Sequence, residues 1–141
     1  MRNSRFGGSV MWVVLLLVVG APGCSGVPEG GPPKTFKVKG KVFGRDGRPL
    51  PGGRITFHPE EPANSEAIAE IERDGTFALG TFGKDDGAMP GRYKVSLEDY
   101  SYRTGDGQKI AGIPDVYKDP RTSGWTAEVT NDTTLEPFRL K

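Results

Sequence analysis

The sequence predicts an all-β fold, a β-sandwich of seven short strands, and three observations carry that expectation. Beyond Thr35 apolar residues recur with a period of two, the signature of half-buried strands. No stretch there sustains helical spacing over three turns. The alternation is broken at short intervals by Gly, Asp and Pro, with 21 glycines and 12 prolines among 141 residues, a density that suits frequent tight reversals.

The chain opens with a segment of another kind. Met1-Arg2-Asn3-Ser4-Arg5 holds two cations and no acid, Val10 to Val19 is continuously apolar, and Gly20-Ala21-Pro22-Gly23-Cys24 follows, the three-part layout of a signal peptide. As a helix the apolar run would be about 15 Å long, roughly half a bilayer's hydrocarbon thickness. Residues 1–23 are therefore expected to be a signal peptide, and the protein to be exported. Ala21-Pro22-Gly23-Cys24 resembles a bacterial lipobox, which implies cleavage before Cys24 and its acylation, with palmitate among the attached chains. The partner implied is a membrane, held through lipid on Cys24; Ser25 beside it suits the outer membrane of a double-membraned bacterium. The alternative is ordinary cleavage after the small-x-small run Ala21-Pro22-Gly23, leaving Cys24 a free thiol.

Removing residues 1–23 takes Arg2 and Arg5 away, so 17 basic residues face 18 acidic ones, a net charge of −1. Charges of both signs alternate through every segment, without the basic stripe that nucleic acid requires. With one cysteine there is no intrachain disulfide, and the core alone must hold the fold. Residues 24–34, rich in Gly and Pro, read as a flexible tether. The remaining residues, 35–141, suffice for one compact domain.

Each strand is legible in turn. Phe36, Val38 and Val42 share one face, with Lys37, Lys39 and Lys41 on the other, and Arg45-Asp46-Gly47-Arg48 turns the chain. Ile55 and Phe57 oppose Arg54, Thr56 and His58 until Pro59 ends that strand. Ala67, Ala69 and Ile71 alternate with Glu66, Ile68, Glu70 and Glu72; Arg73-Asp74-Gly75 then reverses into Phe77 and Leu79, the clearest hairpin. Met89-Pro90-Gly91-Arg92 has the Pro-Gly centre of a type II turn and launches Tyr93, Val95 and Leu97. Asp99 to Ser123 reads as loop, docked by Ile110, Ile113, Val116 and Tyr117. Trp125, Ala127 and Val129 resume the alternation, Asn131-Asp132-Thr133 turns, and Leu135, Phe138 and Leu140 close the chain, with Pro137 marking an edge or bulge.

The ordered motifs Val38-Lys39-Gly40-Lys41-Val42, Asp46-Gly47-Arg48-Pro49-Leu50-Pro51-Gly52-Gly53, Asp74-Gly75-Thr76-Phe77 and Pro90-Gly91-Arg92-Tyr93-Lys94-Val95 resemble the carboxypeptidase regulatory-like domain of small bacterial envelope lipoproteins. The resemblance extends from Phe36 to Leu140. It implies a Greek-key-like, prealbumin-like (transthyretin-like) sandwich and a non-catalytic accessory module.

The chemistry agrees with that expectation. A nucleophilic triad needs a base and an orienting group, and the chain's one histidine, His58, reads as a solvated strand terminus. The transthyretin-related hydrolases resemble the same superfold but end in Tyr-Arg-Gly-Ser, where this chain ends in Phe138-Arg139-Leu140-Lys141. A hydrolase is thus the remote reading. Asp85, Asp86, Asp106, Asp115 and Asp119 are oxygen donors without the ligand spacing of a calcium loop, so no metal and no cofactor is expected. For ligand binding the candidate residues are Tyr100, Tyr102, Arg103, Tyr117 and Trp125 in the long loop, residue types enriched at binding surfaces; the competing role for Tyr117 and Trp125 is as core residues pinning that loop. The function expected is a non-catalytic, envelope-anchored lipoprotein that binds a protein or glycan partner, and the alternative is a structural spacer or assembly subunit of the envelope. The intact mass of the protein from its native envelope checks the anchor: a diacylglyceryl or triacyl increment on Cys24 is expected, and an unmodified mass starting at Cys24, or retention of Met1, contradicts it.

Overall fold

The computed structural model describes Gly31, residues 33–98 and residues 113–141, so Cys24, the expected signal peptide and most of the tether lie outside the described residues. The chain is all-β. β1 (Val38–Phe43) turns Val38, Gly40 and Val42 inward, as the alternation requires. It ends in a reversal where Gly44 N–H donates to Arg48 O at 2.8 Å and Gly47 adopts φ +76°. β2 (Arg54–Pro59) is followed by β3 (Ala67–Glu70) and β4 (Thr76–Ala78). Between the last two, Gly75 takes φ +81°, and a Cβ there would lie 2.7 Å from Val42 O, so the position demands glycine twice over. Asp74 Oδ1 accepts from both the hydroxyl and the amide of Thr76, and these bonds hold its carboxyl below the usual range. β5 (Gly91–Glu98), a 3₁₀ turn (Asp115–Tyr117), β6 (Thr126–Val129), β7 (Thr133–Thr134) and β8 (Phe138–Arg139) complete the order.

The strands form two sheets of four. In the first, β1 is central: β4 pairs with it antiparallel on one side, and β7 and β8 pair with it parallel on the other. The second has the order β3-β2-β5-β6, all antiparallel. One isolated bridge, Ile68 to Gly80, links the β3 edge of one sheet to the chain leaving β4 in the other.

Three local expectations are revised. Thr133, read as turn, joins β7, and the final strand is divided: Val38 faces Thr133, whereas Val42 faces Phe138, so one extra residue is inserted where Pro137 removes a donor. Gly91 does not form a type II turn; it opens β5 at φ +150°, far from the roughly +80° such a turn needs. Of the residues expected to dock the long loop, Val116 is exposed, Ile113 and Tyr117 are buried as expected, and Ile110 lies outside the described residues. Among the described residues no helix is long and apolar enough to cross a membrane.

The core lies between the sheets. Phe57 of β2 sits with its ring centroid 6.1 Å from Phe77, 6.0 Å from Tyr93 and 6.1 Å from Phe138. Phe77 lies over Gly40, where an ideal Cβ would meet the ring at 2.4 Å. Truncating Phe57 to Ala should cost about 3–5 kcal/mol, and Gly40→Ala about 1–3 kcal/mol through overpacking. The penalty of Gly40→Ala should shrink in a Phe77→Leu background, because the two residues share one space; urea melts of the four variants measure this.

Candidate functional site

Two polar arrangements stand on opposite sheets, and they differ in what they leave open. The first is on the outer face of the β3-β2-β5-β6 sheet. Thr56 lies opposite Ser96 and His58 opposite Lys94, which sets His58 and Ser96 diagonally on one face. His58 Nε2 is 2.8 Å from Ser96 Oγ, and Nδ1 is 2.7 Å from Glu66 Oε1 just ahead of β3. His58 is therefore not the solvated strand terminus expected from sequence: both ring nitrogens are engaged and its side chain is 29% exposed. Parity had placed Thr56 and His58 opposite the inward pair, but the register that brings Ser96 alongside is a tertiary fact.

The order Ser96, His58, Glu66 is that of a nucleophilic triad, yet the polarity is reversed. Ser96 is 2% exposed, whereas the Glu66 side chain is 54% exposed. If Nδ1–H donates to Glu66, Nε2 is free to accept from the serine hydroxyl, and the buried oxygen is satisfied. The array ties β2 to β5 and to the approach to β3. Asp119, in the loop before β6, has its carboxyl lowered to about 2, first by the Arg121 guanidinium and then by the Arg121 amide.

The candidate ligand loop divides. Tyr100, Tyr102 and Arg103 lie outside the described residues. Tyr117 is buried, its ring 4.6 Å from Trp125, which in turn is 5.0 Å from Phe138, and its hydroxyl accepts from Lys141 N–H. These contacts are those of residues pinning the loop to the core. The acids are dispersed: Asp86 accepts from the Thr81 and Phe82 amides, Asp115 pairs with Lys118, and Asp119 with Arg121. Among the described residues no group of three His, Cys, Asp or Glu side chains converges on a metal position.

The second arrangement was not foreseen. The outer face of β4, β1 and β7 forms the floor of a groove of about 1050 Å³. Lys39 stands between Ala78 and Thr134, and Lys41 faces Thr76, so short side chains flank long cationic ones and leave open space beside them. Ile68, Glu70 and Glu72 form one wall, the Leu135-Glu136-Pro137 bulge the other, and Gly83-Lys84-Asp85 one end. The lysine alternation was a sequence signal for the floor; the walls come from residues about 30 and 95 positions away.

Replacing His58 with Ala leaves the buried Ser96 hydroxyl without its partner and should cost about 1–3 kcal/mol, with Ser96→Ala in the same chain recovering most of it. Chemical denaturation of the two single variants and the double variant checks the pattern. Comparison with family models, with curated proteins and with solved structures gave no match.

Proposed function

We propose that the protein is a non-catalytic, envelope-anchored lipoprotein whose β-sandwich binds a protein or glycan partner. The observation that carries the binding half is the groove on the β4-β1-β7 face, where Lys39, Lys84, Glu70, Glu72 and Glu136 have no ion-pair partner among the described residues. Charged side chains held open around one concavity are available to a partner, whereas charges already paired with one another are not. The anchoring half rests on the apolar run and the Ala21-Pro22-Gly23-Cys24 motif. Two mixed or antiparallel sheets with an interior aromatic cluster accord with the carboxypeptidase regulatory-like resemblance, and the Greek-key-like, seven-stranded prealbumin arrangement is proposed with it, β7 and β8 counting as one interrupted strand.

Cross-linking in the native envelope, followed by recovery of the full chain, tests this. A saturable partner is expected; recovery of the chain alone favours the spacer reading. Changing Tyr100, Tyr102 and Arg103 to alanine asks whether the long loop contributes, and undiminished recovery removes it from the account.

The hydrolase reading is favoured by one observation, the Ser96-His58-Glu66 order. Its burial at the serine end argues that the array braces the sheet. A fluorophosphonate probe is expected to leave Ser96 unlabelled, and stoichiometric labelling lost in His58→Ala would reverse that conclusion.

A further inference from the structure

Among the described residues three large apolar side chains are exposed, and Phe82 is the most exposed of them at 56%, against 47% for Val116 and 42% for Ile68. It stands outside the core, in the loop of residues 80–87 that follows β4. A single exposed apolar residue is ordinary; the loop that carries this one is not. Asp86 Oδ1 accepts from the Thr81 amide at 2.7 Å and Oδ2 from the Phe82 amide at 3.1 Å, while the Thr81 hydroxyl donates to Gly87 O at 2.8 Å. A Cβ on Gly80 would lie 2.2 Å from Gly83 O, and one on Gly87, where φ is +100°, would lie 2.0 Å from Phe36 O. Asp85 adopts φ +55°, the one non-glycine residue with positive φ among those described. These constraints hold the Phe82 backbone in place while its side chain stays in water. The same loop is tied to the point where the chain enters the domain. Thr35 Oγ1 donates to Asp86 O at 2.7 Å, and Phe36 and Ala88 exchange backbone hydrogen bonds at 2.8 and 2.9 Å.

We infer that the Phe82 loop is a second membrane contact, its ring entering the headgroup–acyl boundary of the bilayer that holds Cys24 and so setting which end of the domain faces the lipid. This rests on the anchoring reading above, under which residues 24–34 join the lipid to Thr35. A Gly-rich coil of that length spans about 17–20 Å, less than the roughly 30 Å breadth of a domain of this size. The domain therefore meets the bilayer first with the end the chain enters, which is the end that carries Phe82. Local charge does not make the choice: Lys34, Lys37 and Lys84 stand against Asp85, Asp86 and Asp132. Asp86 is taken by amides, Asp132 accepts from the Lys37 amide, Lys37 Nζ donates to Asp85 O, and Lys34 lies over the Phe36 ring. The selecting contact is apolar, and a neutral bilayer suffices. One ring would not hold a free domain on a membrane, but a tether supplies the high effective concentration at which a weak second contact fixes orientation. A pocket on another protein would bury the ring equally well; the entry of the tether beside the loop favours the bilayer.

The experiment reconstitutes the full chain from its native envelope into phosphatidylcholine vesicles. A chain that arrives without lipid is coupled through the Cys24 thiol to a maleimide lipid in the same vesicles. In Phe82→Trp, the emission added over the unaltered chain should fall by roughly half or more when bromine is placed on the acyl chains near the headgroups. In Val116→Trp, on the 3₁₀ turn whose Tyr117 hydroxyl accepts from Lys141 at the other end of β1, the added emission should be unchanged. The second readout leaves the native ring in place. On vesicles, a water-soluble reagent should acylate the Lys84 amine about threefold or more slowly in the unaltered chain than in Phe82→Ser, while the two chains react alike in detergent. Unquenched emission at position 82, equal quenching at position 116, or one Lys84 rate in both chains on vesicles overturns the inference. Protection of Lys84 that requires another envelope protein assigns the ring to a protein pocket and overturns it likewise. The intact mass keeps the two readings apart. Lipid on Cys24 without quenching leaves the anchor standing and removes the loop contact; if the mass carries no lipid, the anchor falls and the coupled chain alone judges the loop.

Discussion

The contact on which the rest of the fold depends is the packing of Phe57 across the gap between the sheets. Its ring meets Phe77 and Phe138 from the opposite sheet and Tyr93 from its own. With one cysteine in the chain, no covalent staple shares the task. Each neighbouring choice serves this cluster. Gly40 gives up its side chain so that Phe77 can lie flat over β1, and Tyr93 buries its ring while its hydroxyl finds Met89 O, burial raising its pKa. A polar tip that reaches a backbone acceptor lets a tyrosine occupy a core position without an unsatisfied group.

The cluster would not assemble without the wiring of β1. This strand pairs with β4 on one side and with the last strands of the chain on the other, so Val38 meets Thr133 and Val42 meets Phe138. Such pairings close loops of most of the domain's length, the kind of topology that folds slowly. They also make the centre of the sheet rigid. The lysines of β1 are therefore presented from a strand held on both sides, and the Asp86 loop at its end is fixed by Thr35, Thr81 and the Phe36–Ala88 bridge.

The two outer faces show opposite uses of polar chemistry. On the β3-β2-β5-β6 sheet, Ser96 and Thr56 are buried, and His58 closes the hydrogen-bonding of that layer, so its polar groups are consumed in holding strands together. A buried hydroxyl must be partnered or it costs more than it contributes. On the β4-β1-β7 sheet Lys37 donates to Asp85 O and Lys41 lies over the Phe43 ring, while Lys39, Glu70, Glu72 and Glu136 have no ion-pair partner among the described residues. Charges left outside such pairings are the ones open to a partner, so the groove, and not the histidine array, carries the proposed binding.

Period-two alternation determined the strands, because burial of one face constrains every second residue wherever the partner lies. Ile55, Phe57, Val95 and Leu97 were readable as core, and Gly75 as a reversal, from local pattern alone, and all stand so in the structure. Pro137 announced its bulge for the same reason: a missing donor is a property of one residue. What local pattern could not hold is register between distant segments. The neighbours of His58, the division of the final strand between Thr134 and Phe138, and the meeting of β3, β4, β1 and β7 around one groove all depend on which strands pair and at what offset. Lys39 and Lys41 could be read as outward from sequence, but only the pairing with Ala78, Thr134 and Thr76 made the surface around them concave.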